Sequence, residues 1–175
     1  MEDECHLLWG DTLGYVWGKK NEKIEIPILN ERERQTYYGA INCLTGKFYI
    51  LPFSSGNGEN TVEYVKFLQK ELKNKKILLI WDGASYHRFS AMREYLQLIN
   101  MDLPVNEWKI TCELFAPNAP EQNPVEDIWL QGKSFLRKFF TENKTFAQVK
   151  KSFSSFLQNR VFNFPKIQMY RDLFI

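Results

Sequence analysis

The sequence predicts an α/β fold in which one mixed five-stranded sheet is flanked by helices. Segments with strand character and a hairpin-turn signal fill the first third of the chain, and helical segments alternate with apolar strands after them. Antiparallel strands followed by β-α units give a mixed sheet covered by helices. The chain has 175 residues, of which 44% are hydrophobic, so we expect a single globular domain over residues 1–175.

The first three strands are predicted from alternation and from a turn. Residues 1–10 alternate in the way that is typical of a strand. Residues 35–43 and 48–53 are rich in β-branched and aromatic residues, and the turn residues at 44–47 join them into a hairpin.

The later elements are predicted from helical spacing or from continuous apolar runs. They are helices at 61–73, 90–99, 124–140 and 146–158 and strands at 76–81 and 110–115. We expect Asn60 or Thr61 to cap the first of these helices. The run 77–80 is apolar at every position, which predicts a buried central strand. Residues 160–175 show no clear period.

Several classes of protein are excluded by composition. The chain contains no run of eighteen apolar residues, so we expect no membrane span. The acidic start, residues 1–4, lacks the apolar region of a secretory signal. Three widely spaced cysteines without a CxxC pair suit a reducing cytoplasm and do not predict a zinc site.

The charge is distributed unevenly along the chain. Residues 133–175 carry nine Lys/Arg and two Asp/Glu, whereas the rest of the chain is net acidic. A basic region of this kind suits contact with a polyanion such as nucleic acid. The alternative is the solvated face of an ordinary helix.

Asp82 follows the apolar strand directly and precedes the small residues Gly83 and Ala84. Catalytic groups and ligands collect at the ends of strands in open α/β sheets. A carboxylate held there by a rigid strand suits a metal ligand. The alternative is that Asp82 is only a turn residue or a helix cap.

The helix that begins at Pro124 has two separate faces. Its apolar residues form a buried stripe, on which Gly132 would allow a close backbone approach. Glu126, Lys133 and Arg137 lie along another face, so that an acidic metal ligand would be followed by cations that can hold a phosphate backbone. The alternative is that these charges only complement the helix dipole.

Asp3, Asp82 and Glu126 come from three distant parts of the chain. If the strands of Asp3 and Asp82 are neighbours, the three carboxylates can converge, and their mutual repulsion then requires a cation. Mg²⁺ prefers hard oxygen ligands. Two such ions would stabilise the attacking and leaving oxygens of a phosphodiester displacement.

Three segments resemble motifs of the IS630/Tc1/mariner transposases. They are residues 1–4 (Met-Glu-Asp-Glu), 80–87 (Ile-Trp-Asp-Gly-Ala-Ser-Tyr-His) and 116–129 (Ala-Pro-Asn-Ala-Pro-Glu-Gln-Asn-Pro-Val-Glu-Asp-Ile-Trp). The family's second motif is similar to Asp-Asn-Ala-x-x-His, and its third to Ser-Pro-x-Leu-Asn-Pro-Ile-Glu-x-x-Trp. Gly83 and Gln122 depart from this pattern, and Glu126 follows Asp82 by 44 positions, which exceeds the usual spacing.

The resemblance implies an RNase H-like fold and a DDE triad of Asp3, Asp82 and Glu126 that binds Mg²⁺ or Mn²⁺, with two ions expected. It also implies DNA cleavage at element ends and strand transfer into target DNA by a homodimer. Only two residues precede Asp3, so we expect this chain to lack the family's N-terminal helix-turn-helix region, and a separate chain is one source for it. We expect a cytoplasmic protein, associated with the nucleoid if it is bacterial.

The residues expected to contact DNA are Lys19, Lys20, His87, Lys133, Arg137 and Lys138. His87 would orient a phosphate or assist proton transfer, or else only satisfy a turn. Asn123 and Pro124 are expected to shape the entry into the helix rather than to take part in chemistry. Two alternative functions remain open, a non-catalytic remnant that binds DNA and a simple RNase H-like nuclease.

Overall fold

A computed structural model describes residues 1–12, 18–22, 33–83, 90–117, 119–158 and 160–174. The described residues form strands β1 (Glu2–Leu8), β2 (Arg34–Ile41), β3 (Phe48–Phe53), β4 (Ile77–Trp81) and β5 (Ile110–Leu114). They also form helices α1 (Gly58–Glu71), α2 (Ser90–Asn100), α3 (Pro124–Lys138), α4 (Phe146–Leu157) and α5 (Pro165–Phe174). No helix in these ranges is long and apolar enough to cross a membrane.

The strands form two sheets, so the prediction of one five-stranded sheet is wrong. β1, β2 and β3 pair antiparallel in that order, and β4 pairs in parallel with β5. β1 nevertheless lies beside β4, with Cα atoms within 8 Å of each other. The two sheets therefore bring the strands that carry Asp3 and Asp82 next to each other, as the sequence argument required.

The central position belongs to β2 and not to β4. Tyr37 and Tyr38 are adjacent on β2 and point to opposite faces, and each is at most 1% exposed. Tyr37 belongs to a core with α3, α4 and α5, and Tyr38 belongs to a second core with α1, α2, β4 and β5. In β4 only Leu79 and Trp81 are buried and Leu78 is 47% exposed, so the apolar run does not mark a strand covered on both faces.

Local hydrogen bonds set where the helices begin. α1 begins three residues before the predicted start, because the side chain of Asn57 accepts a hydrogen bond from the Asn60 N–H at 2.8 Å. The expectation that Asn60 or Thr61 caps this helix is therefore wrong. α4 begins with a reciprocal capping box between Thr145 and Gln148.

Gly132 provides the close approach that its place on the apolar stripe predicts. A Cβ at this position would lie 2.6 Å from Cε2 of Phe153 in α4, closer than real Cβ atoms approach. The absence of a side chain at Gly132 therefore lets α3 and α4 pack directly, with Phe153 and Leu157 fully buried between them.

Sequence patterns did not reveal helix α5. The hydroxyl of Tyr170 donates to the carbonyl oxygen of Gln122 at 2.8 Å. Nζ of Lys166 lies 2.5 Å from a carboxylate oxygen of Asp127, so this acid is paired rather than simply solvated. α5 therefore contacts the chain on both sides of Glu126.

Candidate active site

Asp3, Asp82 and Glu126 line one cavity of about 490 Å³. Asp3 lies on β1, Asp82 follows the last residue of β4, and Glu126 lies in the first turn of α3. The remaining walls come from Gly83, Asn123 and the segments 114–117 and 119–120. The three carboxylates that the sequence singled out are thus brought to the same part of the molecule.

The three acids differ in their exposure to solvent. Asp3 is 9% exposed, whereas Asp82 and Glu126 are exposed to solvent. Burial raises the pKa of Asp3 to about 8, and the negative charges of Glu126, Glu4 and Asp82 act in the same direction. The electrostatic environment of Asp3 therefore favours the neutral acid unless a positive charge is present.

Asn123 fastens the start of α3 to β1. Its side-chain oxygen accepts a hydrogen bond from the Val125 N–H at 3.1 Å, and its Nδ2 donates to the carbonyl oxygen of Glu2 at 3.1 Å. Asn123 is only 4% exposed, so both bonds are shielded from water. This confirms the expectation that Asn123 shapes the entry into the helix, and it shows how Glu126 is held near Asp3.

Trp129 makes a contact with Asp3 that the sequence analysis did not anticipate. Its indole Nε1–H donates to Oδ2 of Asp3 at 3.2 Å. The sequence places Trp129 on the apolar stripe of α3 and gives no direction for its N–H. A buried indole N–H normally has a hydrogen-bond acceptor, and this rule was the signal that Trp129 contacts a polar group.

The donor set of this cavity fits a hard divalent cation. Its candidate ligands are all carboxylate oxygens, and their mutual repulsion is the interaction that a cation relieves. Among the described residues, however, no three Asp, Glu, His or Cys side chains already stand close enough to hold a metal ion. Binding would therefore require the exposed side chains of Asp82 and Glu126 to close on the buried Asp3.

None of the described residues expected to contact DNA lines the cavity. Lys133 and Arg137 are half-buried on α3, and Lys138 is exposed at its last turn. Lys133 and Arg137 lie about 10 and 16 Å along the helix axis from Glu126, from the helical rise per residue. Nζ of Lys19 lies 3.5 Å from a carboxylate oxygen of Glu22 on the surface, and the neighbouring Lys20 is also exposed. His87 lies outside the described residues.

The fold matches transposase structures at low sequence identity. A Mos1 mariner paired-end complex with Mn matches 98% of this chain and 52% of its own, with 14% identity and a TM-score of 0.63. A Mos1 paired-end complex with the left transposon end matches 89% of this chain and 46% of its own, at 14% identity and a TM-score of 0.57. A simian T-cell lymphotropic virus intasome in complex with a PP2A regulatory subunit matches 74% of this chain and 45% of its own, at 11% identity and a TM-score of 0.51.

These likenesses define the class of fold, which is the mixed α/β fold of the Mos1 transposase. The chain spans about half the length of the solved chains that it matches. No curated protein matches it by sequence. Residues 1–149 match the family described as DDE superfamily endonuclease, and the chain belongs to that family. The resemblance to DDE transposases of the Tc1/mariner type is thereby confirmed.

Proposed function

We propose that this chain is the catalytic domain of a DNA transposase that cleaves DNA and joins the cut strand to a target. The observation that carries the proposal is the shared cavity of Asp3, Asp82 and Glu126 in a member of the DDE superfamily endonuclease family. We further propose that residues 1–175 act as one domain.

Asp3, Asp82 and Glu126 would hold Mg²⁺ or Mn²⁺, and we propose two ions. Bound ions would activate a water molecule or the 3′-hydroxyl of DNA as the nucleophile, and would stabilise the charge on the leaving oxygen. The protein's part is positional. Buried Asp3 would provide a fixed ligand on β1, and exposed Asp82 and Glu126 would adjust to the ions.

The DNA backbone would lie along α3 beyond the cavity. Lys133 and Arg137 follow Glu126 on the same face of α3, and Lys138 lies in its last turn, so phosphates held by them would lead the strand toward the acids. Such contacts are electrostatic and give no sequence preference. Lys19, Lys20 and His87 are proposed as further DNA contacts.

The partners of this domain are also proposals. The matched Mos1 structures are paired-end complexes, one of them with the left transposon end, which supports transposon ends as a substrate. We also propose target DNA as the second substrate and a homodimer as the active form. A helix-turn-helix region on a separate chain would recognise the element ends. We propose a cytoplasmic location, with nucleoid association if the protein is bacterial.

A plasmid assay tests the catalytic proposal. Supercoiled plasmid is incubated with Mn²⁺ and the wild-type protein, Asp82→Asn or Asp102→Asn. Asp102→Asn is a matched control, because it makes the same chemical change at an exposed turn with φ of 61°, which asparagine tolerates.

We expect nicking by the wild-type protein and by Asp102→Asn, and loss of nicking in Asp82→Asn. Nicking with joined products supports a transposase, whereas hydrolysis without joined products supports a simple nuclease. Equal DNA binding by all three proteins without any nicking would support a non-catalytic remnant and overturn the proposal.

A further inference from the structure

Trp129 connects the helix that carries Glu126 to the carboxylate of Asp3. It lies three residues after Glu126 on α3 and is 3% exposed. Its Nε1–H donates to Oδ2 of Asp3 at 3.2 Å. The buried indole N–H therefore holds one oxygen of the Asp3 carboxyl group in a fixed position relative to α3.

Gly39 makes room for the indole ring. In the register of β1 and β2, Gly39 lies directly opposite Asp3. A Cβ at Gly39 would lie 2.4 Å from Cη2 and 2.5 Å from Cζ2 of Trp129, which is too close for any side chain. The ring of Trp129 therefore occupies the space that a side chain opposite Asp3 would otherwise fill.

Other aromatic rings hold the indole in this place. The ring of Phe48 on β3 meets it edge-on, with centroids 5.3 Å apart. The ring of Phe153 on α4 stacks against it at 6.1 Å. With contacts from β2, β3 and α4, Trp129 has little freedom to turn its N–H away from Asp3.

We propose that Trp129 is a positioning residue that orients Asp3 for a divalent cation. The inference rests on the proposed function, because it assigns Asp3 as a ligand. A carboxylate has four acceptor positions, so the hydrogen bonds from the Trp129 indole and the Glu4 backbone still leave acceptor positions for a cation. Groups that hold a ligand in this way typically change metal affinity 10- to 100-fold.

The test measures Mn²⁺ affinity by electron paramagnetic resonance of the free ion, without DNA. Three changes are compared with the wild-type protein. Trp129→Phe removes the N–H, and a benzothienyl analogue at Trp129 replaces the N–H by sulfur while keeping the ring shape. Phe135→Leu is the control, since it removes aromatic packing from the same helix at a residue that stacks on Phe156 and not on the site.

We expect about tenfold weaker Mn²⁺ binding for both changes at Trp129, and binding within about twofold of wild type for Phe135→Leu. If Trp129→Phe does not fold, the benzothienyl protein decides the result, because its core packing is preserved. Wild-type affinity in the benzothienyl protein would overturn the inference. Equal losses in Trp129→Phe and Phe135→Leu would also overturn it, because they would indicate a general packing effect.

A spectroscopic measurement tests the contact itself. In protein with ¹⁵N-labelled tryptophan, the indole resonance absent from Trp129→Phe is that of Trp129. We expect Asp3→Ala, which removes the acceptor, to shift this resonance and Asp102→Asn to leave it in place, and an unchanged resonance in Asp3→Ala would overturn the inference.

Failure of the proposed function gives a different pattern. If the wild-type protein binds no Mn²⁺, or if Asp3→Asn binds as well as wild type, the assignment of Asp3 as a ligand fails and the inference fails with it. If Asp3→Asn loses Mn²⁺ while the benzothienyl protein retains it, only the role of Trp129 is refuted.

Discussion

Replacing Asp3 by Asn should stabilise the metal-free protein at neutral and alkaline pH. Burial and the charges of Glu126, Glu4 and Asp82 raise the pKa of Asp3 from 3.8 to about 8. The folded protein therefore holds this proton over a range in which the unfolded chain has released it. Asn keeps an acceptor oxygen for the Trp129 N–H and carries no charge.

The sign of the pH dependence follows from proton binding. Between pH 3.8 and about 8 the folded state binds more protons at Asp3 than the unfolded state, so its contribution to stability falls as the pH rises. The free energy of unfolding falls by at most about 1.4 kcal/mol for each pH unit in this range. The largest possible loss between pH 3.8 and about 8 is therefore about 6 kcal/mol. Such a loss would approach the whole stability of a typical domain, so rearrangement of the site should limit it to about 2–3 kcal/mol.

Urea denaturation in EDTA, followed by circular dichroism at pH values from 4 to 9, measures this effect. The stability advantage of Asp3→Asn over wild type should be near zero at pH 4 and reach its full value above pH 8. Asp102→Asn should show no such trend. Added Mg²⁺ should stabilise the wild type and narrow the difference, as expected for a ligand of the folded state. If the stability difference between Asp3→Asn and wild type did not change with pH, the raised pKa of Asp3 would not be its cause.

Three further experiments test the packing and the charges around the site. Gly132→Ala should cost about 1–2 kcal/mol in urea denaturation, because the clash with Phe153 outweighs the gain in helix propensity, and an unchanged midpoint would contradict the close packing of α3 and α4. Asn123→Ala should cost about 2 kcal/mol, whereas Asn123→Ser should retain a cap acceptor and lose about half as much, and equal losses would argue against separate roles for the two bonds. Lys133→Gln with Arg137→Gln should weaken DNA binding and lower the slope of log affinity against log salt by about 2, and an unchanged slope would exclude both residues from phosphate contact.

The spacing of apolar residues and the turn residues predicted most helices and strands, but they did not predict how the strands pair. Alternation and helical spacing depend on local geometry, so β1 and α3 could be predicted within a few residues. The pairing of strands depends on contacts between distant segments, and the continuous apolar run of β4 suggested a central strand. Leu78 is instead half exposed, and the central strand is β2. Ile167 is the only buried residue among the described side chains of α5, so no apolar stripe marks this helix in the sequence.

The candidate site was predictable where residue type alone indicates chemistry. Carboxylates at the end of a strand and in the first turn of a helix directed attention to Asp82 and Glu126, and the cavity contains both. The contact of Trp129 with Asp3 depends on the missing side chain of Gly39 across the strand pair. Such an arrangement requires the register between two strands and the orientation of one ring, which no local pattern specifies.

The contacts of α5 bear on how shortened versions of this protein should be designed. The family match ends at residue 149, yet Tyr170 and Lys166 reach back to Gln122 and Asp127 on either side of Glu126. A fragment that ends at residue 149 would keep Asp3, Asp82 and Glu126. It would lose the two contacts from α5 that hold the chain on either side of Glu126. The boundary suggested by homology is therefore shorter than the unit that physically supports this carboxylate.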